Sequence, residues 1–279
     1  MDRAKDIKTM KLYRSPDRIF NELKALGIAD DAPLKVEQLV HFDQYHYLGT
    51  DAVDEAIDSL SLVSQSRVLE VGSGIGGPAR YLAHQTNCRV IAVELQTDLH
   101  EVAATLTKRC GLENRVRHHC GNILEFSSNP ADFDAVVSWL SFLHIPDRPA
   151  LLNKCHGLLK RGGKILIEDF YKRGKLSPEE TRILSEDVYC DYLPTLEEYK
   201  NQLLESGFIK VRILDKTRLW ANFVNERLQQ FFENHTCHHQ VHGPDIVEAL
   251  EIFYQRMCQL YAAGHLGGAQ LIAEKPWEG

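Results

Sequence analysis

The sequence predicts an α/β fold, a doubly wound sheet of parallel strands with crossover helices. From Arg67 onward, short β-branched runs alternate with amphipathic stretches, the pattern of repeated βαβ units. The first run feeds directly into a glycine-rich turn, Gly72-Ser73-Gly74-Ile75-Gly76-Gly77, that opens a helical stretch. The composition, 44% hydrophobic and 25% charged over 279 residues, is enough to bury a core.

Arg67-Val68-Leu69-Glu70-Val71 and Arg89-Val90-Ile91-Ala92-Val93-Glu94 read as the first two strands. Arg115 to His119, Phe133 to Ser138 and Lys164 to Glu168 are the next three, separated by helical patterns around 97–110 and 148–160. Gly157 to Gly163 carries basic residues and glycines and reads as a structural turn closing a helix before a buried strand. After Asp169 the rhythm changes. Residues 171–194 are polar and tyrosine-bearing, with Pro178 and Pro194, and read as an inserted lid. Thr195 with Glu198 forms an S/T-x-x-E capping box that starts a helix running to Ser206. Phe208 to Leu214 supplies a sixth strand and Gly267 to Ala273 a seventh, with a largely helical segment over 220–263. Residues 15–60 read as helical, interrupted at Phe42 to Thr50. This divides the chain into an N-terminal helical lid (1–60), a cofactor-binding core (61–170) and a substrate-shaping segment that completes the sheet (171–279).

Charge and cysteine usage narrow the function. With 32 basic against 39 acidic residues the net charge is −7, which gives no general attraction to nucleic acid or an anionic lipid surface. No apolar run approaches the roughly 20 residues that span a bilayer, and Met1 to Asp6 lacks the apolar stretch of a secretory signal. The seven cysteines are scattered, with no C-x-x-C, the usage of reduced thiols in a cytoplasmic protein. The expected partner is a small molecule. The oligomeric state is open.

The glycine turn brings backbone N–H groups to a ligand at a strand end. Its spacing alone is ambiguous: Gly72, Gly74 and Gly77 spell G-x-G-x-x-G, whereas Gly72, Gly74 and Gly76 spell G-x-G-x-G. Glu70 decides between them. A carboxylate two residues before Gly72 repels a pyrophosphate and suits an ammonium or sulfonium group. Glu94 closes the second strand twenty residues after Gly74, where an acid accepts hydrogen bonds from ribose hydroxyls. Asn122 follows the third strand, and its amide is suited to an adenine edge or, alternatively, to a turn.

These residues resemble the class I S-adenosylmethionine-dependent methyltransferases over about 67–168, with Glu70, Glu94 and Asn122 at the motif positions. Many relatives carry Asp where this chain has Asn122. The resemblance implies a Rossmann-like seven-stranded sheet whose last strand is antiparallel. It also implies S-adenosylmethionine as cofactor, held by Glu70, Gly72, Gly74, Gly76, Glu94, Leu95, Asn122, Ile123 and Ser138.

Two further elements address the acceptor. Ser138 to Asp147 leaves the fourth strand at the carboxyl edge of the sheet and contains His144, a side chain able to take a proton near neutral pH. It resembles the L-H-I/L-x-D element of phosphoethanolamine methyltransferases, where the matching His pairs with a Tyr from the N-terminal segment. Phe42-Asp43-Gln44-Tyr45-His46-Tyr47-Leu48-Gly49-Thr50 is similar to the D-Q-x-H-x-G-G element of glycine and sarcosine methyltransferases, with Leu48-Gly49 in place of the doubled glycine. Tyr47 fits the catalytic position best, with Tyr45 and His46 as competitors. An aromatic staple for the N-terminal helix is the structural alternative.

The expectation is methyl transfer to a small amine, with Tyr47 and His144 orienting and deprotonating it. Tyr45, His46, Trp139, Tyr171, Tyr192 and Trp220 are the candidate substrate residues. One of Arg182, Lys216 and Arg218 would clamp an acceptor carboxylate or phosphate; the alternative for each is a solvated surface charge. The alternatives are C- or O-methylation of a small hydrophobic acceptor, or a catalytically silent S-adenosylmethionine-binding protein. His235 to His242 contains metal-ligand residue types, with His238 and His242 at i, i+4 if helical; read as a loop before Pro244, it carries no expected metal.

Overall fold

The computed structural model describes Met10, residues 12–129 and residues 131–277. Its centre is a seven-stranded sheet ordered β3-β2-β1-β4-β5-β7-β6. The strands are β1 (Arg67–Val71), β2 (Arg89–Glu94), β3 (Val116–Cys120), β4 (Phe133–Trp139), β5 (Leu159–Lys172), β6 (Ile209–Asp215) and β7 (Leu266–Glu274). β1 to β5 pair in parallel, and β7 lies antiparallel between β5 and β6. The seven strands and the reversed last strand match the expectation. β5 begins five residues before Lys164, with a register shift against β4 between Phe133 and Ala135, so the basic 160–163 stretch is a bulge within a strand.

Side chains alternate across the sheet and define its two faces. Val68, Val90, Ala92, Ala135 and Val137 pack on α3 (Thr50–Leu60) and α4 (Gly77–Thr86). Leu69, Val71, Val136, Ile165 and Ile167 pack on α6 (Arg148–Leu158) and α8 (Leu196–Glu205). The capping box that starts α8 is formed in both directions, Glu198 N–H to Thr195 Oγ1 at 3.2 Å and Thr195 N–H to Glu198 Oε2 at 2.6 Å.

The N-terminal segment lies across α5 (Thr97–Arg109). Ile19 and Leu23 of α1 (Arg18–Ala25) and Leu39 of α2 (Val36–Leu39) are buried with Leu99, Val102 and Leu106. Arg109 fastens the same segment by donating to the carbonyls of Ala32 at 2.9 Å and Ala29 at 2.7 Å.

The inserted 171–194 region contains a helix the sequence reading passed over, α7 (Pro178–Glu186), started by a Ser177–Glu180 capping box. Between β6 and β7 run α9 (Thr217–Glu233), α10 (His235–His242) and α11 (Pro244–Ala263). The stretch from His235 to His242 is therefore helical, not a loop. Pro244 does not interrupt it, because proline occupies the first turn of the following helix, where its missing N–H costs nothing. All seven cysteines are free thiols. No described helix is long and apolar enough to cross a membrane.

Candidate active site

A cleft opens at the carboxyl ends of β1, β2 and β4, the position at which open α/β sheets bind ligands. Its floor is built by the glycine turn. Gly72, Gly74 and Gly76 have φ of +72°, +53° and +77°, a backbone region that side chains resist, and this explains the G-x-G-x-G spacing. A Cβ on Gly72 would run into Ser141, which lets the loop after β4 lie directly against the glycine turn. Ser138 and Ser141 both donate to the Val71 carbonyl, at 3.0 and 2.6 Å, and so lock these two loops together.

Glu70, Gly72, Gly74, Glu94, Leu95, Asn122 and Ile123 all line the cleft. Glu94 is held by backbone donors, Gly74 N–H to Oε2 at 2.8 Å and Gln96 N–H to Oε1 at 2.9 Å. Burial nevertheless raises its pKa to about 7. Burial also raises Glu70, to about 8, against the pull of the Arg80 guanidinium. Asn122 takes up a turn, its Oδ1 accepting from Leu124 N–H at 3.0 Å, which leaves its NH₂ as the polar group available to a ligand.

Buried polar atoms are normally satisfied. In this cleft Glu70 Oε2, Ser73 Oγ, Gln96 Oε1, Tyr45 Oη and Trp139 Nε1 are buried with no hydrogen-bond partner among the described residues. A polar ligand in this concave site can supply the partners these donors and acceptors lack. The Glu70 oxygen, carrying the negative charge when ionised, suits a cationic group.

Two loci depart from the cofactor set. Gly76 starts α4 and faces away from the cleft, where a Cβ would approach His118 and Arg80 at 2.7 and 2.9 Å. Ser138 is fully buried behind the floor, bonded to the Val71 carbonyl. Both shape the site without lining it.

The opposite wall comes from the N-terminal segment, with Met10, Leu12, Tyr13, Tyr45, His46 and Tyr47. It is anchored by an ion pair absent from the sequence reading. Arg80, fully buried in α4, donates to Asp43 Oδ2 at 2.9 Å, and Gln44 Nε2 donates to Asp43 Oδ1 at 2.8 Å. A Cβ on Gly77 would strike the Asp43 carbonyl, so the second glycine of Gly76-Gly77 serves this close docking rather than a ligand. The detectable signal was Arg80 itself, a charge on an otherwise apolar helix face. Leu48, which replaces the first of the doubled glycines, is forced to φ +63°.

His144 lies in a short 3₁₀ turn, Phe142–His144, beside this wall. Its Nδ1 is 3.1 Å from the Tyr189 carbonyl. A carbonyl only accepts, so Nδ1 carries the proton and Nε2 is the basic nitrogen. Burial lowers its pKa below the ordinary value and keeps the ring neutral. The aromatic ring against it is that of Tyr13, edge-on at 6.1 Å, and Tyr13 in turn stacks on Tyr45 at 6.5 Å. Tyr13 carries no motif and was missed. Tyr47 lines the same cleft but is packed among Trp220 at 5.2 Å, Phe223 at 5.5 Å and Phe170 at 6.0 Å. His46 donates from Nε2 to the Gly49 carbonyl at 2.9 Å, and burial lowers its pKa to about 4.

Of the substrate candidates, Tyr45, His46 and Trp139 line the cleft, and three others do not. Tyr171 follows Phe170 in β5, so the two-residue period that turns Phe170 to the cleft turns Tyr171 to the other face, where it donates to Asp215 at 3.0 Å. Tyr192 is held toward α8, accepting from Gln202 at 2.6 Å. Trp220 is a second layer behind Tyr47, fully buried against Gly268. Arg182 is paired on the surface with Glu179 and Glu186, and Lys216 pairs with Glu55. Neither these two nor Arg218 belongs to the cleft lining.

Residues 68–163 match the methyltransferase domain family. The chain is similar to phosphoethanolamine N-methyltransferase 1 of Zea mays, 29% identical over 214 residues, which is 76% of this chain and 41% of that protein. It is also similar to sarcosine/dimethylglycine N-methyltransferase of Halorhodospira halochloris, 27% identical over 60% of this chain and 62% of that protein. Its fold matches that of phosphoethanolamine N-methyltransferase 2 of Haemonchus contortus, solved with phosphomonomethylethanolamine and S-adenosylhomocysteine, at a TM-score of 0.78 and 24% identity over 84% of this chain and 54% of that one. The chain thus spans about two fifths of the length of the first curated relative.

Proposed function

We propose that this chain, with a methyltransferase domain over residues 68–163, transfers a methyl group from S-adenosylmethionine to a small-molecule amine. The observation that carries the cofactor assignment is the unpartnered, buried Glu70 oxygen at the glycine turn. In this reading Glu70 takes the cofactor's ammonium side, Glu94 the ribose hydroxyls and Asn122 the adenine edge, with Leu95 and Ile123 packing beside them. Bound S-adenosylmethionine supplies an already activated sulfonium methyl.

The chain's remaining task is to position the acceptor and accept its proton. An alkylamine resembling Lys is only about one part in a thousand neutral at pH 7, and only the neutral form attacks. His144 Nε2, made a base by the Tyr189 carbonyl at Nδ1, takes the proton; a tyrosine hydroxyl of the same cleft, from Tyr13 against the His144 ring or from Tyr47, holds the amine. General-base assistance of this kind contributes on the order of 10²–10⁴ in rate. The aromatic wall stabilises the methylated ammonium by cation–π contact.

A second reading has its own observation. Among the described residues no Lys or Arg side chain lines the cleft, whereas Leu140, Leu143, Ile145, Phe170, Val188 and Phe253 do. This favours an acceptor without an anionic group and keeps C- or O-methylation of an apolar acceptor as the alternative. Mass-spectrometric detection of methyl transfer across phosphorylated amines, primary to tertiary amines without an anionic group, apolar alcohols and apolar carbon acceptors distinguishes the two. Turnover of an amine is the expected result; turnover confined to alcohols or carbon acceptors overturns the amine assignment. S-adenosylhomocysteine binding with no turnover at all leaves a cofactor-binding protein.

A further inference from the structure

The C-terminal helices and the N-terminal segment meet away from the active-site cleft, and their junction contains metal-ligand chemistry. His238 and His242 occupy one face of α10 at i, i+4, a spacing that stacks side chains one turn apart. Their rings are near parallel, 16° apart with centroids at 6.2 Å. Glu22 of α1 approaches from across the junction, its Oε1 2.7 Å from His242 Nε2. One ligand atom from each of the three side chains lies within 4.8 Å of the other two.

From this geometry we infer that Glu22, His238 and His242 form a binding site for a divalent transition-metal ion of the zinc class. Two imidazoles and a carboxylate are a common zinc donor set, with the fourth position left to water. All three residues are half-buried, which shields the ion while leaving an approach from solvent. His238 stacks on Phe231 at 4.9 Å, which fixes its ring. The ordinary alternative is an ion pair between His242 and Glu22 with His238 stacked on Phe231, and Zn²⁺ titration separates it from a metal site.

The bound ion also has a mechanical consequence. α1 follows directly on the strip of chain that supplies Leu12 and Tyr13 to the cleft. From α1, Arg18 donates to the Leu12 carbonyl at 2.7 Å and covers the Tyr45 ring at 4.6 Å. Fixing Glu22 to α10 therefore fastens the N-terminal wall of the cleft to the C-terminal helices. This inference does not depend on the methyl-transfer reading.

The test is a Zn²⁺ titration of the chelator-treated full chain by calorimetry, with cobalt substitution and hydrogen exchange as independent readouts. The expected results are saturable binding of one ion per chain, loss of that binding in Glu22→Gln and in His238→Ala/His242→Ala, and retention in Cys237→Ser. The Co²⁺ spectrum is expected to show low-coordinate d–d bands without thiolate charge transfer, and Zn²⁺ is expected to slow amide exchange over residues 18–25. Glu22→Gln keeps a hydrogen-bonding partner for His242, so it tests ligation even if the double variant fails to fold. Absence of saturable binding, equal binding in Glu22→Gln, or thiolate charge transfer overturns the site. Binding without slower exchange in α1 overturns the fastening role.

Discussion

Glu70 is where burial and charge are most directly opposed. Its carboxyl is pushed to about 8 by burial, with Arg80 pulling it down and Glu94 and Asp43 adding to the rise. A carboxyl raised in the folded state contributes stability that is fully present below the ordinary carboxyl range and lost as pH rises toward about 8. Glu94, raised to about 7, acts in the same direction. Above the range in which the buried histidines gain stability with rising pH, the ligand-free protein is therefore expected to melt at progressively lower temperature between pH 7 and 8. If the ligand's ammonium prefers ionised Glu70, affinity for S-adenosylhomocysteine rises over the same window, by at most about tenfold per pH unit for one proton. Calorimetry at several pH values checks this, and Glu70→Gln should bind more weakly with a shallower dependence. On the acceptor side, His144→Ala should lower turnover by about 10²–10⁴ while leaving cofactor affinity unchanged. Double-mutant cycles of His144→Ala with Tyr13→Phe and with Tyr47→Phe identify the partner, because groups acting on one proton give non-additive losses. The ring geometry sets Tyr13 against His144; additive losses in both cycles would leave His144 acting alone.

Among the elements, the joint between α4 and the 43–47 segment controls the cleft wall. The Arg80–Asp43 pair is fully buried, and removing one partner of such a pair strands the other charge, a loss of about 3–5 kcal/mol. Arg80→Met should therefore lower the urea midpoint and weaken S-adenosylhomocysteine binding together, because Tyr45, His46 and Tyr47 follow Asp43 in the same strip. An unchanged midpoint would mean that the wall is held by apolar packing alone. Gly77→Ala should act in the same direction, since a Cβ there meets the Asp43 carbonyl. A second buried network, Arg148 with Asp169 at 2.9 Å and Tyr199 at 2.6 Å, performs a related service near the carboxyl end of β5, where it ties α6, β5 and α8 together.

For the molecule as a whole, the cleft joins parts of the chain distant in sequence: Met10, Leu12, Tyr13, Tyr45, His46 and Tyr47 on one wall, the ends of β1 and β2 on the floor, and Phe253 from α11. A ligand that binds only this assembled state stabilises all of it at once. At about 100 times its dissociation constant, S-adenosylhomocysteine should add ~2.7 kcal/mol to stability and raise the thermal midpoint. NAD should not, because in this reading the Glu70 carboxylate beside the glycine turn opposes a pyrophosphate. A midpoint raised by NAD and unmoved by S-adenosylhomocysteine would overturn the cofactor assignment.

The sheet and its glycine turn were legible in the sequence because they are written locally. Strand alternation, a capping box at Thr195 and left-handed glycines at 72, 74 and 76 each leave their mark within a few neighbouring residues. Glu70 and Glu94 were legible for the same reason, since their distance from the glycines fixes their place at the strand ends. Tertiary structure decided the rest. The Arg80–Asp43 pair spans 37 residues, and the approach of Glu22 to His242 spans 220. Tyr13 meets His144 across the cleft without belonging to any motif, and Tyr171 is turned from it by a strand period whose facing is set only once the helices choose their sides. Local backbone preference is encoded in adjacent residues, whereas the meeting of side chains across a cleft depends on how whole elements pack.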